Sequence, residues 1–169
     1  MNKLIVVLAL ILSSATYAND HNYEEADIQC LAENIYFESR NQGKLGKIAV
    51  ALVTLNRVMH PRWPNDICGV VKQAKMWGEV VVRHQCQFSW YCDGLSDQIR
   101  DVGAFIDARR HAIDAILWYR AGHDFVDGAT HYHTTKVNPY WNASLDYIAT
   151  IDDHTVSYTH LTLPTIYSV

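Results

Sequence analysis

The chain has 169 residues, 49% of them hydrophobic, which is enough for one packed core and too much for a disordered protein. Fourteen Lys and Arg against 18 Asp and Glu give a formal net charge of −4, excluding a broad polyphosphate-binding surface and with it a dedicated nucleic-acid binder. Five Trp and ten Tyr, many beside Asn, Gln, Ser or His, point to a surface on which an uncharged ligand stacks.

Lys3, the unbroken apolar run Leu4 to Leu12 and the small residues up to Ala18 read as a secretory signal peptide, 1–18, with cleavage after Ala18. The run is too short for a bilayer core of roughly 30 Å, which takes about 20 helical residues, so no stable membrane insertion is expected after cleavage. The product is expected to be exported, to the periplasm or the extracellular space, with a mature net charge of −5. Export makes Cys30, Cys68, Cys86 and Cys92 candidates for disulfides, in any of three pairings that the sequence leaves open. A zinc site is the alternative, but no CxxC pair is present and the Cys86 to Cys92 gap is unlike the tight knuckles of structural zinc sites.

Ile28, Leu31, Ala32 and Ile35 follow i, i+3, i+4, i+7 spacing, which predicts an amphipathic helix over Tyr23 to Arg40 with Asp27 near its start. Gly43 and Gly46 punctuate a turn. Lys47 to His60 is then apolar on most sides, the pattern of a central helix. Pro61 and Pro64 end it, and Ile67 to Lys75 predicts a short helix. From Trp77 to Gly94, Val80, Val81 and Val82 with Phe88, Trp90 and Tyr91 predict a hairpin or an ordered loop. Phe105, Ile106, Ala112, Ile113, Ile116 and Leu117 restore helical spacing over Ala104 to Ala121, and extended pieces are expected at Ala129 to Thr134 and Ile148 to Ile151. The class is α+β with helices dominant, in one domain over 19–158. The tail 159–169 lacks charge, resembles translated sequencing-adapter sequence, and is expected to be foreign to the domain.

Two glutamates share the first helix. At about 100° per residue, Glu38 lies roughly 70° from the centre of the apolar stripe and Glu33 roughly 150°. Only Glu38, flanked by Tyr36 and Phe37, is placed for partial withdrawal from water, which favours the neutral carboxyl that a general acid needs. The plainer reading is a helix-end carboxylate paired with Arg40 or Arg57.

CLAENIYFESR at 30–40, GKIAVALVTLNRV at 46–58, ICGVV at 67–71, CQFSWYCDG at 86–94, GATHYH at 128–133 and NPYW at 138–141 together resemble the SleB-type cell wall hydrolases, which include the spore cortex-lytic enzymes. The resemblance implies a lysozyme-like fold acting on peptidoglycan glycan strands, with the glutamate of the IY-x-E-[AS]-R motif, here Glu38, as catalytic acid. Many members continue as E-A-R-G-E; this chain has Asn41 and Gln42 there, so a second motif carboxylate is missing.

Hydrolytic glycosidases usually set two carboxylates about the bond. Asp93, Asp124 and Asp127 could approach Glu38 only through the fold. A lytic transglycosylase manages with one, and cleavage of the MurNAc to GlcNAc bond by transglycosylation is therefore expected, with a hydrolytic muramidase as the nearer alternative. Gln87, Ser89 and Trp90 combine hydrogen-bonding groups with an aromatic face suited to acetamido sugars, while Phe88 is expected in the core. Tyr132, His133 and Trp141 are candidates for the other side of the groove or for a network holding Glu38. His131 and His133, with Cys86, form a conceivable zinc set, but no HExxH motif accompanies them; no metal or cofactor is expected, and the protein is expected to act as a monomer. A metal-dependent amidase and a noncatalytic peptidoglycan-binding module are the more distant alternatives, the latter disfavoured by the acid at position 38. Lys72, Lys75, Arg83 and His84 form a basic cluster, expected in a solvated loop.

Overall fold

The computed structural model describes residues 23–158. The signal segment 1–18 and the tail 159–169 lie outside the described residues.

Among the described residues four α-helices form the body: α1 (Glu25–Ser39), α2 (Lys44–Met59), α3 (Ile67–Val71) and α4 (Val102–Arg120). The expected central helix is α2, in which every residue from Ile48 to Val58 is buried. It packs against α1, α3 and α4. Its start falls earlier than expected because Gly46 belongs to the first turn of the helix. The Gly46 amide donates to Asp152 Oδ2 at 3.0 Å, and a methyl group at this position would stand 2.5 Å from the same oxygen. A side chain here would push the Asp152 carboxylate aside and cost this hydrogen bond, which ties the β4–β5 turn to the helix start.

More of α1 is buried than its apolar stripe predicts, because neighbours surround it. Asn34 is fully buried, donating to Thr54 Oγ1 at 3.2 Å and accepting from Trp90 Nε1 at 3.0 Å, so its polar atoms keep partners. Cys30 is joined to Cys68 and Cys86 to Cys92, which selects one of the three open pairings. The first bond staples α1 to α3.

Two small sheets complete the fold of the described residues. The helix expected over Ile67 to Lys75 stops at Val71, since Ala74 pairs with Cys86 in an antiparallel hairpin of β1 (Ala74–Trp77) and β2 (Val80–Cys86). Gly78, at φ +60°, takes the left-handed turn that joins them. The basic cluster Lys72, Lys75, Arg83 and His84 lies on and beside this hairpin, where Arg83 Nε donates to the Asp93 carbonyl at 2.9 Å. Ser89–Cys92 forms a 3-10 turn.

The second sheet has the order β3 (His131–Thr134), β5 (His154–Tyr158), β4 (Asp146–Ile151), all antiparallel. The expected extended pieces are β3 and β4; the central strand, β5, was not anticipated as a separate element. Gln42 holds the β4–β5 turn to the α1–α2 loop: its Nε2 donates to Asp153 Oδ2 at 3.2 Å, and its Oε1 accepts from the Asp153 amide at 3.1 Å. A carboxylate at this position could not make the first bond, so the departure at Gln42 has a structural use.

Candidate active site

Glu38 sits in the last turn of α1, half-buried. Neither arginine named from the sequence is its direct partner. Arg40 Nη1 turns to the Tyr36 hydroxyl at 3.3 Å, and Arg57 Nε donates to the Thr130 carbonyl at 2.7 Å. Instead, Tyr132 on β3 reaches across and its hydroxyl donates to Glu38 Oε2 at 2.9 Å. This contact spans the helical body and the three-stranded sheet.

Burial pushes the Glu38 carboxyl above its ordinary value, opposed by the Tyr132 hydrogen bond and by the nearby charge of Arg57. Tyr132 is held well above the ordinary phenol value, by burial first and by the Glu38 charge second, so it stays a hydrogen-bond donor. Arg57 is 5% exposed, with its guanidinium near the rings of Trp63 and Phe88. It acts on Glu38 through space. The three groups therefore suit a carboxyl that holds a proton before reaction and tolerates a negative charge after losing it.

A cavity of about 190 Å³ opens beside Glu38, lined also by Arg57, Cys86, Gln87, Phe88, Ser89 and Tyr132. A second, of about 370 Å³, is lined by Arg57, Gln87, His131, Tyr132 and Trp141. The three shared residues make them one groove. Glu38 is the only carboxylate among the residues lining either cavity. Asp124 is occupied with the amides of Val126 and Gly128 and the side chain of Asn56; Asp93 accepts from the Leu95 amide; Asp127 sits exposed in a turn at φ +47°.

Gln87 and Ser89 line the groove as the sequence suggested, but Trp90 does not. It is 8% exposed, stacked on Phe37 with ring centres 4.6 Å apart. The 3-10 turn after Phe88 carries its indole inward, where Asn34 accepts the N–H. Trp141, half-buried in the 3-10 turn Tyr140–Ser144, walls the larger cavity and packs against His131 and His133 at 5.7 and 5.6 Å. His133 does not line that cavity; it supports Trp141 and gives its Nδ1–H to the Thr134 carbonyl at 3.0 Å. The conceivable His131, His133 and Cys86 ligand set is not assembled, because Cys86 is spent on Cys92 and Trp141 packs against both imidazoles.

Arg57, named from the sequence only as a possible partner of Glu38, and His131, named only in the zinc set, are groove residues that the sequence did not assign to the groove. A signal for the first existed: Asn56 and Arg57 interrupt an otherwise apolar central helix, and polar groups there need a purpose.

Fold and site define a class, a helix-dominated α+β domain whose groove is built around one carboxyl. The chain belongs to the Cell Wall Hydrolase family, which matches residues 41–156. The expected membership of the SleB-type group and its fold are borne out. The catalytic domain of the germination-specific lytic transglycosylase SleB from Bacillus anthracis superposes with a TM-score of 0.60 at 28% identity, over 82% of this chain and 98% of that domain. The Bacillus cereus SleB catalytic domain gives 0.57 at 26% identity, over 82% and 94%. Among curated proteins, the spore cortex-lytic enzyme of Halalkalibacterium halodurans is 32% identical over 110 residues, 65% of this chain and 28% of that protein. That of Bacillus cereus is 40% identical over 60 residues, 36% of this chain and 23% of that protein. The chain thus spans about a quarter of the length of these curated relatives. No helix among the described residues is long and apolar enough to cross a membrane.

Proposed function

We propose that the protein is an exported lytic transglycosylase that cleaves the MurNAc to GlcNAc bond of peptidoglycan with Glu38 as its single acid and base. The observation that carries this reading is the groove with one carboxylate, half-buried and hydrogen-bonded to Tyr132. The B. anthracis structural neighbour, described as a lytic transglycosylase, supports the same class of chemistry.

In the first step the Glu38 carboxyl gives its proton to the glycosidic oxygen, the bond from that oxygen to the muramic anomeric carbon breaks, and the GlcNAc end leaves. Glu38 is now a carboxylate, favoured by the Tyr132 hydroxyl and the Arg57 charge. It then takes the proton of the muramic 6-hydroxyl as that oxygen closes on the anomeric carbon. The acid is restored and no water is consumed. Gln87 and Ser89 supply hydrogen bonds to sugar substituents, and Trp141 offers its face to a ring. A hydrolytic muramidase would normally call on a second carboxylate to activate water or to attack the sugar, and none lines the groove. Work outside the cytoplasm, in the periplasm or beyond the cell, suits the two disulfides.

The test is release of soluble fragments from purified sacculi by the wild type and by Glu38→Gln. The variant should retain the fold and lose activity; substantial remaining activity would remove Glu38 from its role.

A further inference from the structure

The larger cavity differs in charge from the rest of the protein. None of its lining residues is acidic, although the chain as a whole carries a net charge of −4. Arg57 stands in the wall it shares with the Glu38 cavity, and the guanidinium Nη1 is buried with no hydrogen-bond partner among the described residues. Such a donor is costly to leave unpaired. Glu38, the carboxylate closest in effect to Arg57, is already bonded to Tyr132.

The imidazole of His131 lines the same cavity. It is pushed down to about 4, by burial first and then by the charges of Arg57 and Arg62 and by His60. His131 is therefore neutral at neutral pH, and the positive charge felt in the cavity comes from the two arginines. Arg62 is itself exposed, over the ring of Trp63.

Resting on the transglycosylase reading, we propose that this cavity is a carboxylate-binding subsite, in which Arg57 receives an acidic substituent carried by the muramic acid beside the cleaved bond. Two sources share that chemistry: the lactyl carboxylate of a peptide-free muramic acid, and a carboxylate of an attached stem peptide. Trp141 and Gln87 would flank the substituent, while the uncharged sugar ring lies toward Glu38. A charge-assisted bond to a buried guanidinium also fixes which way the glycan lies in the groove.

The test uses the mature Glu38→Gln protein, so that ligands are bound without being cleaved. Calorimetry would compare a peptide-free GlcNAc-MurNAc tetrasaccharide as the free acid and as its methyl ester, and a peptide-bearing tetrasaccharide with its carboxylates free or amidated. At least one acid should bind about tenfold tighter than its neutral partner. The pair that shows the difference identifies the source. Adding Arg57→Gln should close that gap, whereas Arg62→Gln, at an exposed position outside the cavity lining, should leave it largely in place. Equal affinity within both pairs, or a gap that survives Arg57→Gln in a variant that still melts cooperatively, would overturn the subsite. Wild-type cleavage of sacculi reports separately: cleavage with equal affinities removes only the subsite, whereas an acid preference without cleavage removes only the transglycosylase reading.

Discussion

Glu38 and Arg57 stand near the ends of long helices whose inner faces are buried, whereas Gln87, Ser89 and Trp141 come from a hairpin exit and 3-10 turns and remain exposed or half-buried. The helical wall is fixed by core packing, so it can hold a carboxyl in a perturbed state. The opposite wall is anchored by Phe88 and the Cys86–Cys92 bond but presents exposed or half-buried side chains to the groove. Tyr132 joins the two, as a sheet residue bonded to a helix residue. On the proposed reading, the reacting carboxyl stands on the packed helical wall and the sugar-binding side chains on the more exposed one.

The largest effect should come from the helical wall. Glu38→Gln should lower kcat by roughly 10²- to 10⁴-fold with little change in thermal stability, measured by fragment release and melting. A variant that loses fold and activity together would blur the comparison rather than support it.

Next comes stability of the same wall. Cys30 and Cys68, 38 positions apart, close a long loop between α1 and α3, and replacing both with Ala should cost about 4 kcal/mol in denaturant unfolding. The Cys86–Cys92 bond closes a short loop on the groove wall, with a separation of 6, and its removal should cost less stability, about 2 kcal/mol, while lowering activity through the displaced Gln87 and Ser89. Equal stability losses would erase the distinction between the walls.

At the junction, Tyr132→Phe should reduce kcat by about tenfold. Its pH signature is more specific. On the proposed mechanism the free enzyme needs Glu38 protonated, so activity should fall as pH rises through the Glu38 pKa. Removing a hydrogen bond that favours the carboxylate raises that pKa further, and the basic limb of kcat/KM should move to higher pH. An unmoved limb would reduce Tyr132 to packing. The smallest effect belongs to the recognition wall: Trp141→Ala should raise KM by about fivefold and leave kcat nearly unchanged.

Sequence patterns reached the helices because burial there repeats every three to four residues, and α2 was readable from its apolar circumference. They reached Glu38 through the same periodicity joined to a family motif. They did not reach β5, whose central position rests on antiparallel pairing with both β3 and β4, partners that local alternation does not specify. Trp90 was misplaced for a related reason. Strand alternation after Phe88 gives way to a 3-10 turn, and the partner that draws the indole inward, Asn34, is 56 positions away. Tyr132 was named as a candidate, but its bond to Glu38 crosses 94 positions, a contact that no local pattern encodes.

The central claim, that one carboxyl both donates and removes the proton, is tested most directly by the masses of fragments released from sacculi by the wild type in ¹⁸O-water. The account predicts anhydro-muramic ends, one water lighter than reducing ends and free of ¹⁸O. Reducing muramic ends carrying ¹⁸O would contradict it and establish a hydrolase.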